Sequence, residues 1–115
     1  MAEENNEIKF QDWQKLDLRV GKIIKAEEIA GVDKLYKLEV DVGEEKPRIL
    51  VAGIKKHYRK DELKGKSCIV FCNLQNKVMK GIKSEGMVLA AVNEDESKIR
   101  LIQPDDEIEL GSRIS

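Results

Sequence analysis

Aromatic residues are scarce in this 115-residue chain, only 4% of it, and histidine, proline and cysteine number one, two and two. Each scarcity excludes something. No apolar run approaches the roughly 18 residues a transmembrane helix needs, so a membrane span is not expected. The acidic, polar start MAEENNEIKF resembles neither a signal peptide nor an anchor, and Met1 with this leader reads as an independent start. The lone histidine, His57 in "KKHYRK", reads as a surface residue, and no Cys/His cluster has zinc spacing. Cys68 and Cys72 lie in an apolar segment read as a strand, about 13 Å apart on one face. That is too far for them to bridge, and they read as buried free thiols of a reducing cytoplasm. "GIKSEG" lacks the strand before and helix after that a phosphate cradle requires. Asp105–Asp106 and Glu94–Asp95–Glu96 fall in turns. Nothing assembles a nucleophile, a base and an oxyanion site. The chain reads as a binding protein, with no enzyme activity, metal or cofactor expected.

What is abundant is charge, at 37% of residues, and it is segregated. Residues 53–83 carry nine Lys/Arg against Asp61 and Glu62, a net +7, whereas residues 84–115 carry -5 and residues 1–52 carry -3. A basic middle between acidic ends implies one electropositive face and an anionic partner, which the overall net charge of -1 conceals.

Hydrophobic periodicity supplies the elements. Residues 1–8 read as a disordered leader and 9–115 as one domain. "KFQDWQKL" (Lys9–Leu16) spaces Phe10, Trp13 and Leu16 along one stripe of a short helix. Leu18–Ile29 reads as a long strand, its apolar Leu18, Val20, Ile24 and Ala26 alternating with charge and a bend at Gly21. Tyr36–Val42 alternates cleanly, Arg48–Ala52 is short and apolar, and "GIKKHYRKDELKG" holds at most one helical turn. Cys68–Cys72 and the apolar run Met87–Val92 read as buried strands, and Lys98–Ile102 as a minor last one. Short strands without a βαβ rhythm mean an all-β domain. A five-stranded barrel with a short helical insert after strand 3 and a short N-terminal helix is the OB arrangement.

The basic segment suits phosphate contacts. Single-strand binders stack bases on several aromatics, but Phe10, Trp13, Tyr36 and Phe71 sit on apolar stripes and only Tyr58 is left as a platform. That favours a folded RNA, recognised by shape, phosphate and 2′-hydroxyls.

Seven stretches, "DLRVGKI", "DKLYKLEVDVG", "VAGIKKHY", "LKGK", "NL", "MKGIKSEGMVLAA" and "GSRI", occur in an order and spacing that resemble one family. It is the tRNA-binding OB domain appended to methionyl-tRNA synthetases. The same domain occurs as stand-alone dimeric tRNA-binding proteins, in cofactors of eukaryotic synthetase complexes, and in export chaperones. The resemblance spans about residues 10–114 and implies a tRNA partner, a homodimer joined through its terminal segments, and association with a methionyl-tRNA synthetase catalytic subunit. It implies RNA contact by Ser84 and Met87, with Gly81 and Gly86 shaping the backbone and Asn73, Lys77 and Lys80 completing the site. Lys34, in "DKLYKLEVDVG", joins that set. One departure stands out: the family follows "NL" with Lys-Pro, and this chain has Gln75–Asn76. The export-chaperone relatives imply an alternative, capture of extended polypeptide, and docking of a catalytic subunit through the Trp13 helix is a third possibility.

Overall fold

The computed structural model describes residues 6–115. Most of the expected leader, residues 1–5, lies outside the described residues; 6–8 are exposed and irregular. The fold is an all-β, nearly closed five-stranded antiparallel barrel of the OB type. Its strands are β1 (Leu18–Glu28), β2 (Tyr36–Asp41), β3 (Arg48–Ala52), β4 (Ser67–Phe71) and β7 (Met87–Val88), in the order β3-β2-β1-β4-β7. A four-residue helix α1 (Phe10–Trp13) precedes β1, and another, α2 (Lys60–Leu63), lies between β3 and β4 as expected. Among the described residues, no helix is long and apolar enough to cross a membrane.

β1 holds the barrel together because it pairs with β4 through Leu18–Lys22 and then with β2 through Lys22–Glu28. Its irregularity falls between Ile23 and Lys25, not at the expected Gly21. The shift changes which side chains face inward: Ile23 is fully buried, while Ile24, expected on the buried face, is exposed. Gly21 answers a different demand. A Cβ there would stand 2.9 Å from Val40 Cγ1, so the glycine lets β2 pack closely across β1.

Alternation sorts the apolar residues into two clusters. Leu38, Val40, Leu50, Cys68, Val70 and their neighbours fill the barrel. Leu18, Val20 and Ile69 face outward and are covered by Trp13, Leu16, Leu110 and Ile114. The N-terminal helix is therefore shorter than its stripe implied, and Phe10 stands exposed while Trp13 and Leu16 dock. The C-terminal segment seals the same side, with Val20 N–H donating to Ser112 O at 2.9 Å and Ile114 N–H to Leu18 O at 2.8 Å. Cys68 and Cys72 are free and buried, and burial pushes the Cys68 thiol up to about 12. Both thiols stay protonated near neutrality and act as core residues.

The run Met87–Val92 departs from expectation. It breaks at Leu89 into β7, paired with β4, and β8 (Ala90–Val92), paired with β9 (Ile99–Leu101). Leu89 bridges the change of partner, its N–H donating to Ile69 O at 2.9 Å and its C=O accepting from Ile102 N at 3.1 Å. Only Val88 in the run is buried.

Asp17 fastens the entry to β1. Its carboxylate accepts a 2.7 Å hydrogen bond from Arg19 Nε and lies 3.6 Å from Arg113 Nε. The Arg19 hydrogen bond, aided by both guanidinium charges, holds the Asp17 carboxyl below its ordinary range. Such a group stabilises the fold fully above its unfolded pKa, and that contribution disappears as pH falls through the lowered folded value. The urea midpoint should therefore decline on acidification below about pH 4, and Asp17→Asn should flatten that acid limb. A limb of equal steepness in Asp17→Asn would remove Asp17 from the account.

Candidate nucleic-acid interface

Between β4 and β7 the chain forms a hairpin, β5 (Lys77–Met79) against β6 (Ile82–Ser84). Lys80 and Gly81 form its two-residue turn, with φ of 52° and 78°. Positive φ at both central positions is the mark of a type I′ turn, which matches the right-handed strand twist. Asn or Asp normally takes the first position; here an exposed lysine does, in a conformation that costs it something.

A latch of side chains fixes the hairpin to β3. Arg48 Nη1 donates to Cys72 O at 2.7 Å and to Glu85 O at 2.8 Å, while Nε and Nη2 grip Glu44 at 2.7 and 2.8 Å. The hydrogen bond from Arg48 keeps the Glu44 carboxyl below its usual range. Glu85 treats Ile49 as a strand partner would: its N–H donates to Ile49 O at 2.8 Å and its carboxylate accepts from Ile49 N at 2.9 Å. Ser84 completes the seam, its hydroxyl accepting from Val51 N at 3.0 Å and donating to Gly86 O at 3.1 Å. Gly86, at φ 145°, is required because a Cβ would lie 2.8 Å from Phe71 O.

Between hairpin and barrel lies a cleft of about 430 Å³. Period-two alternation turns Lys77 and Met79 into it and Val78 away. Its other walls include Leu74, Gln75, Met87, Val92 and Ile99, with Ile54 and Val51 from the end of β3. Among the described residues, Lys77 is the one charged residue of the lining, and no carboxylate lines it. Lys77, Lys80 and Lys83 form no ion pair among the described residues. The basic stretch around α2 differs: Lys55 and Lys60 share Glu28 at 3.1 and 3.3 Å, and Arg59 meets Asp61 at 3.4 Å.

The structure thus gathers Lys77, Ser84, Gly86 and Met87 around one cleft and places Lys80 and Gly81 at the hairpin tip. Their surroundings differ greatly. Met87 is 44% exposed, whereas Ser84 is 3% exposed with its hydroxyl engaged on both sides. Asn73 is exposed, yet its amide ties down the N-terminal segment, accepting from Asp17 N at 2.8 Å and donating to Lys15 O at 2.7 Å. Lys34 lies apart, in the exposed β1–β2 connection, linked to the segment after β3 by Lys55 N–H donating to its C=O at 3.2 Å. Tyr58 is not a stacking platform. It is half-buried, its hydroxyl accepts from Leu101 N at 3.0 Å, and Lys66 Nζ covers its ring at 5.6 Å from the centroid. Sequence reasoning missed Arg48 and Glu85, whose roles depend on contacts 24 to 37 residues away in the chain.

These features define a small OB barrel with a cationic hairpin beside an apolar cleft. Residues 18–113 match a family model described as "Putative tRNA binding domain". The chain belongs to this tRNA-binding domain family. It is 48% identical over 107 residues to a methionine–tRNA ligase of Thermococcus onnurineus and 46% over 101 residues to a probable one of Oryza sativa subsp. japonica. The matches cover 93% and 88% of this chain but only 14% and 13% of those proteins, so the chain spans a small part of their length. Among solved structures, the MetRS related protein of Pyrococcus horikoshii superposes with a TM-score of 0.89 at 35% identity, covering 96% of this chain and 100% of that one. The chaperone CsaA of Bacillus anthracis superposes at 0.85, also 35% identical, covering 95% and 99%.

The Ser84 geometry makes a direct prediction. Ser84→Ala leaves the Val51 N–H without its acceptor in a buried seam, and should cost about 1–3 kcal/mol of stability in a denaturant titration. Unchanged stability would show that the hydroxyl does not hold the hairpin.

Proposed function

We propose that this domain binds folded tRNA by its phosphate backbone, using Lys77, Lys80 and Lys83 of the hairpin, with Lys34 extending the track and Met87 giving apolar contact. It reads no anticodon and catalyses no reaction; it raises the tRNA affinity of a methionine–tRNA ligase, as a domain or accessory subunit. The observation that carries this is three lysines without ion partners among the described residues on one paired hairpin, in a domain of a tRNA-binding family. A turn lysine held at positive φ adds support, since local rules are most often broken where function demands it. In this reading Ser84 and Gly86 act by holding the hairpin, Asn73 by bracing the adjoining turn, and Gly81 by completing the turn. The buried free thiols suit a cytoplasmic setting.

Released counterions make such binding salt-dependent. The variant Lys77→Gln, Lys80→Asn, Lys83→Gln removes three charges, and Asn suits the turn. Its log–log salt slope for tRNA should flatten by about 2–3 units with little change in melting temperature. Several tRNA species should bind alike. An unchanged slope and affinity in the folded variant would overturn the hairpin's role.

We also propose a homodimer joined near the chain termini. Phe10 is 70% exposed beside Trp13, Leu16 and Ile114, a cluster that a second copy would cover. Pairing two cationic faces would raise avidity. Sedimentation at micromolar concentration should show a dimer that Phe10→Glu weakens; a monomeric parent protein would remove the proposal.

A second reading, capture of extended polypeptide, is supported by the likeness to CsaA and by the apolar cleft. The lysines without acid partners at that cleft favour RNA.

A further inference from the structure

The cleft behind the hairpin has a composition that phosphate binding does not use. Leu74, Met79, Met87 and Val92 give it apolar walls, and Met87 and Val92 are 44% and 51% exposed although they border a concavity. Two polar side chains at its lining have no hydrogen-bond or ion-pair partner among the described residues, the Gln75 amide and the Lys77 ammonium. An apolar slot, one amide and one cation match the three parts of a nucleotide: a flat base, its hydrogen-bonding edge, and its phosphate. Soft methionine thioethers can lie against a base face where aromatic platforms are missing.

We propose that this cleft receives one unstacked nucleobase of a folded RNA. Gln75 pairs with the base edge and Lys77 holds the adjoining phosphate. The inference rests on the RNA-binding reading above and sharpens it: the feature recognised is an unpaired nucleotide presented by a folded RNA, with the lysines gripping the neighbouring backbone. It also gives a role to Gln75, an exposed amide at the cleft lining. An amide offers both a donor and an acceptor to a base edge, whereas lysine offers only charge. Among the described residues no carboxylate lines the cleft, so a phosphate beside Lys77 would meet no opposing acid there, which supports a nucleotide as occupant.

The test compares an RNA hairpin bearing an unpaired loop with a blunt duplex of equal phosphate number. The parent protein should prefer the looped RNA by about tenfold, the weight of one well-held base. Leu74→Ser and Gln75→Ala are uncharged changes at exposed positions of the lining. Each should erase that preference while leaving duplex affinity and salt slope in place. A 2-aminopurine in the loop should change its emission on binding to the parent and not to Leu74→Ser. Equal binding of both RNAs by the parent would overturn the base pocket and leave phosphate binding standing, whereas binding of neither would overturn the RNA reading itself. An unfolded polypeptide that displaces looped RNA from the parent, and binds Lys77→Gln equally well, would assign the cleft to peptide and end the proposal.

Discussion

The barrel closes through side chains where a strand ladder would ordinarily run, and the rest of the structure depends on that seam. β3 pairs with β2 along one edge. Along its other edge the N–H groups of Ile49 and Val51 find the Glu85 carboxylate and the Ser84 hydroxyl. Hydrogen bonds of this kind contribute only about 0.5–1.5 kcal/mol each, but a buried donor left unpaired costs about 1–3. Arg48 adds the third dimension by holding the ends of β4 and β6 to the turn before β3. Among the described residues no buried side-chain polar atom lacks a partner, so the seam is complete as well as tight.

Closure by side chains leaves the β5–β6 hairpin standing outside the main sheet while its base is immobilised. That is what creates the cleft between hairpin and barrel. It also determines which charges remain available. Glu44 is occupied by Arg48, Glu85 by β3, and Glu28 by two lysines of the α2 region. With the nearby acids engaged elsewhere, the hairpin lysines form no ion pair among the described residues. The basic middle of the chain thus falls into two parts: near α2, Lys55, Lys60 and Arg59 are paired with Glu28 and Asp61, whereas among the described residues the three hairpin lysines have no ion partner to compete with a polyanion.

Much of the fold was legible in the sequence. β2 and β3 emerge from strict alternation and a short apolar run, and the single helical turn after β3 from its length and charge. The order of the seven family stretches pointed to the OB barrel and to tRNA before any contact was known. The grouping of some expected residues was legible too: Lys77 and Met87 line one cleft, and Lys80 lies at the tip of the hairpin beside it. What stayed hidden were the choices that period alone leaves open. Ile23 and Ile24 are adjacent and equally apolar, and only the register shift in β1 buries the first and exposes the second.

By itself, then, the chain determined its strands, its all-β class and its concentration of lysine, because these follow from local pattern and composition. Tertiary structure decided where each strand changes partner, as at Leu89, and which polar groups are consumed. Ser84 and Met87 lie three residues apart in one motif, yet one is sealed into the seam and the other faces the cleft. Tyr58 was turned from a potential platform into a packed residue by Leu101 and Lys66. The reason is physical: a side chain's availability is set by what long-range contacts bring against it, and those partners lie tens of residues away in sequence.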